Sequence, residues 1–432
     1  MNARMPCAEK SKQAPCWRGQ GEKRIVNSSR GLKSLLVVAI FASAVACANA
    51  GDAPALPHLI KIGVLNDRSG PYADAAGEGS AVAARMAAEE FGNTVLGQPV
   101  EILVGDHMGK PDLGAIVARK WFDADSVDVV ADIANSGVGI AIVNLARERN
   151  KIVLNNSASS DFSGKACSPT AVQWSYNTYA NGNALSAAMK RAGFDSIFTI
   201  GVDYAYGRML GSDLKRFVEK SGGSIVGEAW HPLNTADFSS FLLQAQGSKA
   251  KAIALADSGA DLVGILKQAD EFQIGKQQTL VILASINLSE IEALGLTVTQ
   301  GLLTMSAFEW NKTEESRRWT KAFVARTGKI PTADQVATYS EVRHYLKAVV
   351  AARSLDTATV LAKMREMPVD DIFASNGRLR EDGQMVHNLY LVRVKKPSES
   401  KEKGDYVSIV QELPGDEIFQ TLEESACPLV KK

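Results

Sequence analysis

The sequence predicts an α/β protein built from two open, doubly wound parallel sheets. From Ile60 onward, short β-rich runs alternate with helical patterns, which is typical of βαβ units. The nine runs are more than one sheet comfortably holds, and the alternation stops and restarts between Pro169 and Asn183. A chain of 432 residues is long enough for two ordinary domains. We therefore expect two lobes with one sheet each.

The individual elements follow from local apolar spacing. Expected strands are 62–65, 100–104, 127–131, 152–154, 197–201, 224–228, 252–256, 280–283 and 302–306, and expected helices are 80–91, 113–122, 138–149, 181–191, 207–220, 260–272 and 316–326. In the helix at 138–149, apolar residues recur at three- and four-residue spacing, which places them on one buried face. Later, the segments 388–394 and 405–411 predict a β pair joined by the charged loop 395–403.

The amino-terminal segment 1–50 has the pattern of a signal peptide. A basic stretch that includes Arg30 precedes about a dozen apolar residues, fewer than the roughly 20 that a membrane-spanning helix needs. Small residues at Ala48 and Ala50 follow, so we expect cleavage after Ala50 and an exported mature protein. An uncleaved membrane anchor and a lipid attached to Cys47 are the alternatives.

The charge balance argues against a nucleic-acid partner. The first 50 residues hold eight of the 48 basic side chains and two of the 48 acidic ones, so the rest of the chain is mildly acidic. Nucleic-acid binding needs a concentrated basic face that displaces counterions from phosphates. The sequence shows no such concentration.

The cysteines agree with export. If the leader is removed, Cys167 and Cys427 are the two that remain, and an even pair in an oxidising compartment suggests one disulfide. The alternative is two buried free thiols. Because the sequence has no C-x-x-C motif and its histidines are scattered singly, we expect no zinc or other metal site.

A search for catalytic motifs gives little support to an enzyme. The sequence has no G-x-S-x-G elbow, no H-E-x-x-H motif and no phosphate loop ending in Gly-Lys-Ser/Thr. Gly77 and Gly79 resemble the start of a dinucleotide loop, but Val82 stands at the third position and the loop begins too far beyond the strand. We therefore expect neither enzymatic activity nor a cofactor.

Polar loops follow several predicted strands at the edge where open α/β sheets place their ligands. In the first half these loops are 66–73, 135–137 and 155–160, and in the second half they are 203–207 and 257–259. Hydroxyl and amide side chains at a helix start cap its N–H groups, and they leave other N–H groups aimed at an anion. Simple capping explains any one loop, whereas several at one edge favour a carboxylate site in a cleft between the lobes.

Four segments in this order resemble the leucine/isoleucine/valine-binding family of ABC-transporter solute receptors: IKIGVL at 60–65, SGPYA at 69–73, DYAYG at 203–207 and ATYS at 337–340. The resemblance extends from about residue 59 to 410. It implies the type I periplasmic binding fold, in which a three-crossover hinge joins two doubly wound lobes. The implied lobes are 58–178 plus 309–377 and 179–308 plus 378–432.

The family also implies a periplasmic receptor that closes on a small ligand and delivers it to an inner-membrane ABC permease. Since such a shuttle must diffuse between solute and permease, we expect a monomer. A sensor subunit for a membrane signalling partner and an exported enzyme on the same scaffold are the alternatives. By resemblance, Ser136 and the backbone at Gly137 bind a carboxylate, Tyr206 closes over the ligand, and Tyr72 and Tyr339 wall the cleft. The other expected ligand-binding residues are Asn135, Ser157, Ala158, Ser159, Asp203, Asp257 and Ser285.

One departure from the family affects the ligand. Members that bind amino acids pair the ammonium group with an acid after the strand at 280–283, but here that loop begins at Ser285 and reads Ser-Ile-Asn-Leu. Asp257 or Asp203 is a candidate for the missing countercharge. Otherwise the ligand is a carboxylate without an amine, such as an aromatic or aliphatic acid, because an unpaired ammonium in a closed cleft costs several kcal/mol.

Overall fold

The computed structural model describes residues 56–431 and contains two main sheets. The first has the order β2-β3-β1-β4-β5-β6, with β2 antiparallel and every other pair parallel. Its strands are β1 (Ile60–Asn66), β2 (Thr94–Val95), β3 (Gln98–Asp106), β4 (Val129–Asp132), β5 (Ile152–Asn155) and β6 (Ala171–Gln173).

Helices cover both faces of the first sheet. Its helices are α1 (Gly77–Glu89), α2 (Pro111–Asp123), α3 (Ser136–Glu148), α10 (Glu314–Thr327), α11 (Ala333–Ala352) and α12 (Thr357–Glu366). The helices α2 and α3 share one apolar cluster, which includes Trp121 and Ile142, whereas α1 and α11 contribute to the large core on the other face. The predicted double winding is therefore confirmed for this lobe.

The second sheet has the order β15-β14-β11-β10-β9-β7-β8, with β14 antiparallel to both of its neighbours. Its strands are β7 (Ser196–Val202), β8 (Ser224–His231), β9 (Ala252–Ala256), β10 (Thr279–Ser285), β11 (Leu303–Ser306), β14 (Leu389–Val394) and β15 (Val407–Leu413). Its helices are α4 (Thr178–Arg191), α5 (Ala205–Lys220), α6 (Ser239–Gly247), α7 (Gly259–Glu271), α8 (Leu288–Leu294), α9 (Leu296–Thr299) and α13 (Gly415–Ile418).

The nine predicted strands and the late β pair all lie in these sheets. The sequence analysis missed β2, β6 and a small hairpin of β12 (Arg378–Leu379) with β13 (Met385–Val386). These strands are two or three residues long, too short for an alternating pattern to show.

The chain passes between the two sheets three times, which confirms the predicted three-crossover hinge. The passages are 174–177 between β6 and α4, 307–313 between β11 and α10, and 380–388 leading into β14. Two of them are bonded together, since the Gln173 N–H donates to Gly383 O (2.8 Å) and the Asn177 side chain donates to that of Gln384 (2.7 Å).

The predicted disulfide is present and joins Cys167 to Cys427 across 260 residues of sequence. Both cysteines are buried in a small cluster with Val430. The Ser425 hydroxyl also donates to Ser163 O (2.8 Å), so the carboxy-terminal segment is held against the end of the first sheet by a covalent bond and a hydrogen bond.

Within residues 56–431, no helix is both long and apolar enough to cross a membrane. The expected leader 1–50, its cleavage after Ala50 and the alternative lipidation of Cys47 all fall outside the described residues.

Candidate ligand-binding cleft

The carboxyl end of β4 makes an unusual turn toward the second lobe. Asp132 and Ile133 have φ angles of 77° and 53°, values that residues with a side chain adopt rarely and at a cost. Hydrogen bonds hold this turn: the Asp132 N–H donates to Glu341 Oε1 (2.8 Å), and Asn66 Nδ2 donates to Asp132 Oδ2 (2.8 Å). The turn directs the start of α3 into the space between the lobes.

The first turn of α3 presents unused hydrogen-bond donors. Asn135 is the N-cap, and its side chain accepts from the Val138 N–H (3.0 Å). The first intrahelical bond runs from the Gly139 N–H to Asn135 O (2.8 Å), so the N–H groups of Ser136 and Gly137 have no partner within the helix. Together with the positive end of the helix dipole, they form an arrangement that can bind a carboxylate.

The loop after β5 lies beside this helix start. Ala158 faces the space between the lobes, whereas the Ser157 hydroxyl donates to Ile133 O and the Ser159 hydroxyl accepts from the Asp161 N–H (3.3 Å). The Ser159 N–H donates to the Ser136 hydroxyl (3.3 Å), which ties the two loops together. The Ser157 and Ser159 side chains therefore hold the loop rather than reach into the cleft.

Tyrosines from the two lobes meet across the opening. The hydroxyl groups of Tyr72 and Tyr204 are 2.8 Å apart, and the Ala260 N–H donates to Pro71 O (3.3 Å). Gly259 has a φ of 67°, and a Cβ atom there would lie 2.5 Å from Pro71 O, so only glycine permits this approach. The two lobes are thus in contact, in a closed arrangement.

Between the lobes lies a small cavity of about 30 Å³. Tyr206 is only 4% exposed, and its hydroxyl has no hydrogen-bond partner in the described part of the chain. The residues that line the cavity are Tyr72, Ala75, Ala134, Ser136, Asn156, Ala158, Tyr176, Tyr204, Tyr206, Ser258 and Asp334. Helix-start donors on one side and aromatic rings on the other suit a ligand with an anionic end and an apolar body.

Asp334 alone among these lining residues carries a charged type of side chain. It is the second residue of α11, and its Oδ1 atom is buried without a partner among residues 56–431. Burial raises the pKa of Asp334 to about 8, and the nearby carboxylates of Asp132 and Glu290 add to the shift. In the absence of a ligand cation, this carboxyl group is therefore largely protonated near neutral pH.

Comparison with known proteins decides the family. A family model described as periplasmic binding protein matches residues 59–403, most of the chain. The chain belongs to the periplasmic binding protein family. The sequence-based identification as an ABC-transporter solute receptor of the leucine-binding type is thereby confirmed.

Solved structures of such proteins share the fold. A periplasmic binding protein from Burkholderia mallei is 40% identical, with 86% of this chain and 99% of that one covered and a TM-score of 0.84. A branched chain amino acid ABC transporter periplasmic ligand-binding protein from Burkholderia xenovorans LB400 is 37% identical (86% and 100% covered, TM-score 0.78). An ABC-transporter solute binding protein from R. palustris in complex with benzoate is 21% identical (86% and 100% covered, TM-score 0.75). No curated protein matches the sequence.

In this periplasmic binding protein, the two proposed substitute acids are engaged elsewhere. Asp257 is fully buried and bonded to His231 Nε2 (2.5 Å) and to the Ser258 N–H (2.9 Å). Asp203 is exposed and paired with Arg208 (2.7 Å) on the outer side of its loop. Neither residue lines the cavity, so both expectations of a countercharge from the second lobe are corrected.

Ser285 and Tyr339 also lie away from this cavity. Ser285 is buried beside a neighbouring space formed with the start of α8. The Tyr339 hydroxyl donates to Glu90, and its ring packs against Trp319 with centroids 5.0 Å apart. Tyr339 therefore packs between helices and does not wall the cleft.

The sequence analysis missed five cavity residues with polar groups: Asn156, Tyr176, Tyr204, Ser258 and Asp334. Tyr204 and Ser258 belong to loops that it had identified, so their neighbours could have led to them. Tyr176 lies on the first crossover and Asp334 at a helix start, where local pattern alone indicates no ligand.

Proposed function

We propose that this protein is an exported solute receptor that binds one small carboxylate-bearing ligand in the cleft and delivers it to an inner-membrane ABC permease. The observation that carries the proposal is the pair of N–H groups at Ser136 and Gly137, which precede the first intrahelical bond of α3, at a helix start where Ser136 lines a cavity between the two lobes. With the Ser136 hydroxyl they offer three donors to one anion.

The aromatic lining favours an amino acid or organic acid with an apolar or aromatic body. Tyr72, Tyr176, Tyr204 and Tyr206 surround the cavity, and their rings provide apolar surface while the hydroxyl groups supply polar contacts at the edge. The R. palustris relative holds benzoate, a ligand of this chemical class on the same fold.

The proposed mechanism is a hinge between open and closed states. The lobes divide as 58–178 plus 309–377 and 179–308 plus 378–432, and ligand contacts from both lobes favour the closed form by their differential affinity. No chemical step is required. The mature protein acts in the periplasm as a monomer, since a shuttle must diffuse between solute and permease.

A thermal-shift screen of residues 51–432 tests the proposal with amino acids, aromatic acids, aliphatic acids and sugars. A ligand at about 100 times its dissociation constant adds about 2.7 kcal/mol of stability, which raises the melting midpoint by several degrees. The Ala158→Trp variant fills the cavity and abolishes the shift, whereas Asp203→Asn, outside the cavity, retains it. Stabilisation by sugars alone would overturn the proposal.

A further inference from the structure

We propose that the ligand carries an ammonium group as well as a carboxylate, and that Asp334 is the countercharge of that ammonium group. The ligand is then an α-amino acid with an apolar or aromatic side chain. This inference deepens the proposed function and rests on it, since it concerns the same cavity.

The first argument is the unsatisfied hydrogen-bonding capacity in the cavity. Asp334 Oδ1 is buried without a partner in the described chain, and the side chain keeps partial exposure where it lines the cavity. The Tyr206 hydroxyl lies on the same cavity, is almost wholly buried and is likewise unpartnered among residues 56–431. Buried polar groups are nearly always bonded, so two unbonded groups on one cavity indicate a missing donor such as an ammonium group.

The second argument is the sign of the surrounding charge. The charged types of side chain that face Asp334 are Asp132 from the end of β4, Glu290 from α8 and Glu341 from α11, and all are buried carboxyl groups. In the second lobe, the buried histidine His231 is already paired with Asp257. A second anion without a cation would add to the repulsion, whereas a zwitterion brings its own positive charge.

The third argument is geometric. The α3 donors and Asp334 both belong to elements packed on the first sheet, and both line the one cavity. A carboxylate at Ser136 and an ammonium group at Asp334 therefore fix the two polar ends of an amino acid against the first lobe. The side chain of the ligand then points toward the second lobe, which closes over it.

The pH dependence of binding distinguishes an amino-acid ligand from a carboxylate ligand that has no amine. Asp334 is mostly protonated near neutral pH without ligand, because burial raises its pKa to about 8. An ammonium ligand needs the carboxylate form, so binding releases a proton and affinity increases as the pH rises toward 8. A carboxylate ligand without an amine would instead use protonated Asp334 as a donor, and its affinity would decrease over the same range.

Isothermal titration calorimetry with two matched ligand pairs tests the inference: phenylalanine against 3-phenylpropanoate, and leucine against 4-methylpentanoate. We expect an amino acid to bind more tightly than its deaminated partner, with affinity increasing by up to about tenfold per unit between about pH 6 and 8. Asp334→Asn should weaken amino-acid binding by about 10- to 150-fold, as expected when a hydrogen bond to a charged group is lost. Asp203→Asn is the matched control and should leave affinity unchanged.

Three results would overturn the inference. They are tighter binding of the deaminated acids, affinity for the amino acids that decreases with pH, and unchanged amino-acid affinity in Asp334→Asn. If Asp334→Asn does not fold, the direction of the wild-type pH dependence decides alone. Binding of deaminated acids with no response to amino acids would leave the proposed function standing, whereas response to sugars only would remove both.

Discussion

A buried carboxyl group lies at the edge of each sheet, and the two groups differ in their hydrogen bonding within the protein. At the second sheet, Asp257 follows β9 and is bonded to His231 and to a backbone N–H, so its hydrogen-bonding capacity is used within the protein. Beside the first sheet, Asp334 opens on the cleft, and its Oδ1 atom has no partner within the described residues.

This difference distinguishes a structural acid from a ligand-binding one. Both groups are buried near other acids, and burial raises the pKa of each. The bond to His231 partly opposes the rise in the pKa of Asp257. Burial by itself lowers the pKa of His231, but the attraction of the Asp257 carboxylate outweighs burial, and the pKa of His231 is raised. For Asp334 no cation among the described residues does the same, so the stabilising partner has to come from outside the described chain.

The largest expected effect comes from breaking the pair at the second sheet. His231→Ala leaves Asp257 buried without its partner and should lower the free energy of unfolding by about 3 kcal/mol. Urea unfolding of the ligand-free protein measures it. The control is Asp203→Asn, which removes an exposed ion pair of the same lobe and should leave the unfolding midpoint unchanged. Equal stability of His231→Ala and wild type would show that the pair contributes nothing.

A smaller effect is expected from the unpaired acid at the first sheet. An unfolded aspartate titrates near 3.9, and the folded Asp334 has a pKa of about 8, so its contribution to stability is full below about pH 4 and is lost as the pH rises through 8. Asp334→Asn removes this titration. Because the Asp334 side chain is partly exposed to the cavity, solvent reduces the penalty that this pKa shift implies, and we expect the variant to gain on the order of 1 kcal/mol over wild type between about pH 5 and 9.

Urea unfolding at the two pH values, without ligand, measures that gain. A variant that loses stability relative to wild type at the higher pH would contradict the comparison, because it would mean that the Asp334 carboxylate already has a partner in the protein.

The smallest effect concerns two tyrosines of one loop. Tyr204→Phe removes the hydroxyl that bonds to Tyr72 across the lobes, so it should weaken closure by about 1 kcal/mol. Tyr206→Phe removes a hydroxyl without a partner in the described chain, so it should leave the melting midpoint of the free protein unchanged and weaken ligand binding by about tenfold. Calorimetry and thermal unfolding of both variants separate these cases, and a destabilised Tyr206→Phe would reveal a bond within the protein.

Most of the fold could be predicted because its strands are long enough to be read from local spacing. The helix α3 and its capping residue Asn135 were predicted correctly in place, since the polar residues at the strand end and the apolar stripe that follows lie next to each other in sequence. The strand β6 was missed because three residues between Ser-Pro-Thr and a crossover show no period.

The candidate site was harder to predict because its walls come from distant parts of the chain. Asp334 stands in the first turn of α11, where Thr332 and Gln335 form a capping box, and an acid there is explained by the helix dipole alone. Tyr339 was placed wrongly for a related reason. Asp334 and Tyr339 are five residues apart, so at 3.6 residues per turn their side chains point about 140° apart around α11. Asp334 lines the cleft while Tyr339 bonds to Glu90 at the end of α1, and the sequence does not set the rotation of α11 about its axis.

The bond between Cys167 and Cys427 gives the folding of this protein an order in time. In an exported chain that emerges amino terminus first, Cys167 reaches the oxidising compartment 260 residues before its partner. During that interval both sheets can assemble, while the Cys167 thiol stays unpaired and can form a mixed disulfide with a small-molecule disulfide. Closure of the bond therefore marks the arrival of the last segment. Protein made in a reducing cytoplasm would lack that final step and keep its carboxy-terminal segment attached by hydrogen bonds and packing alone.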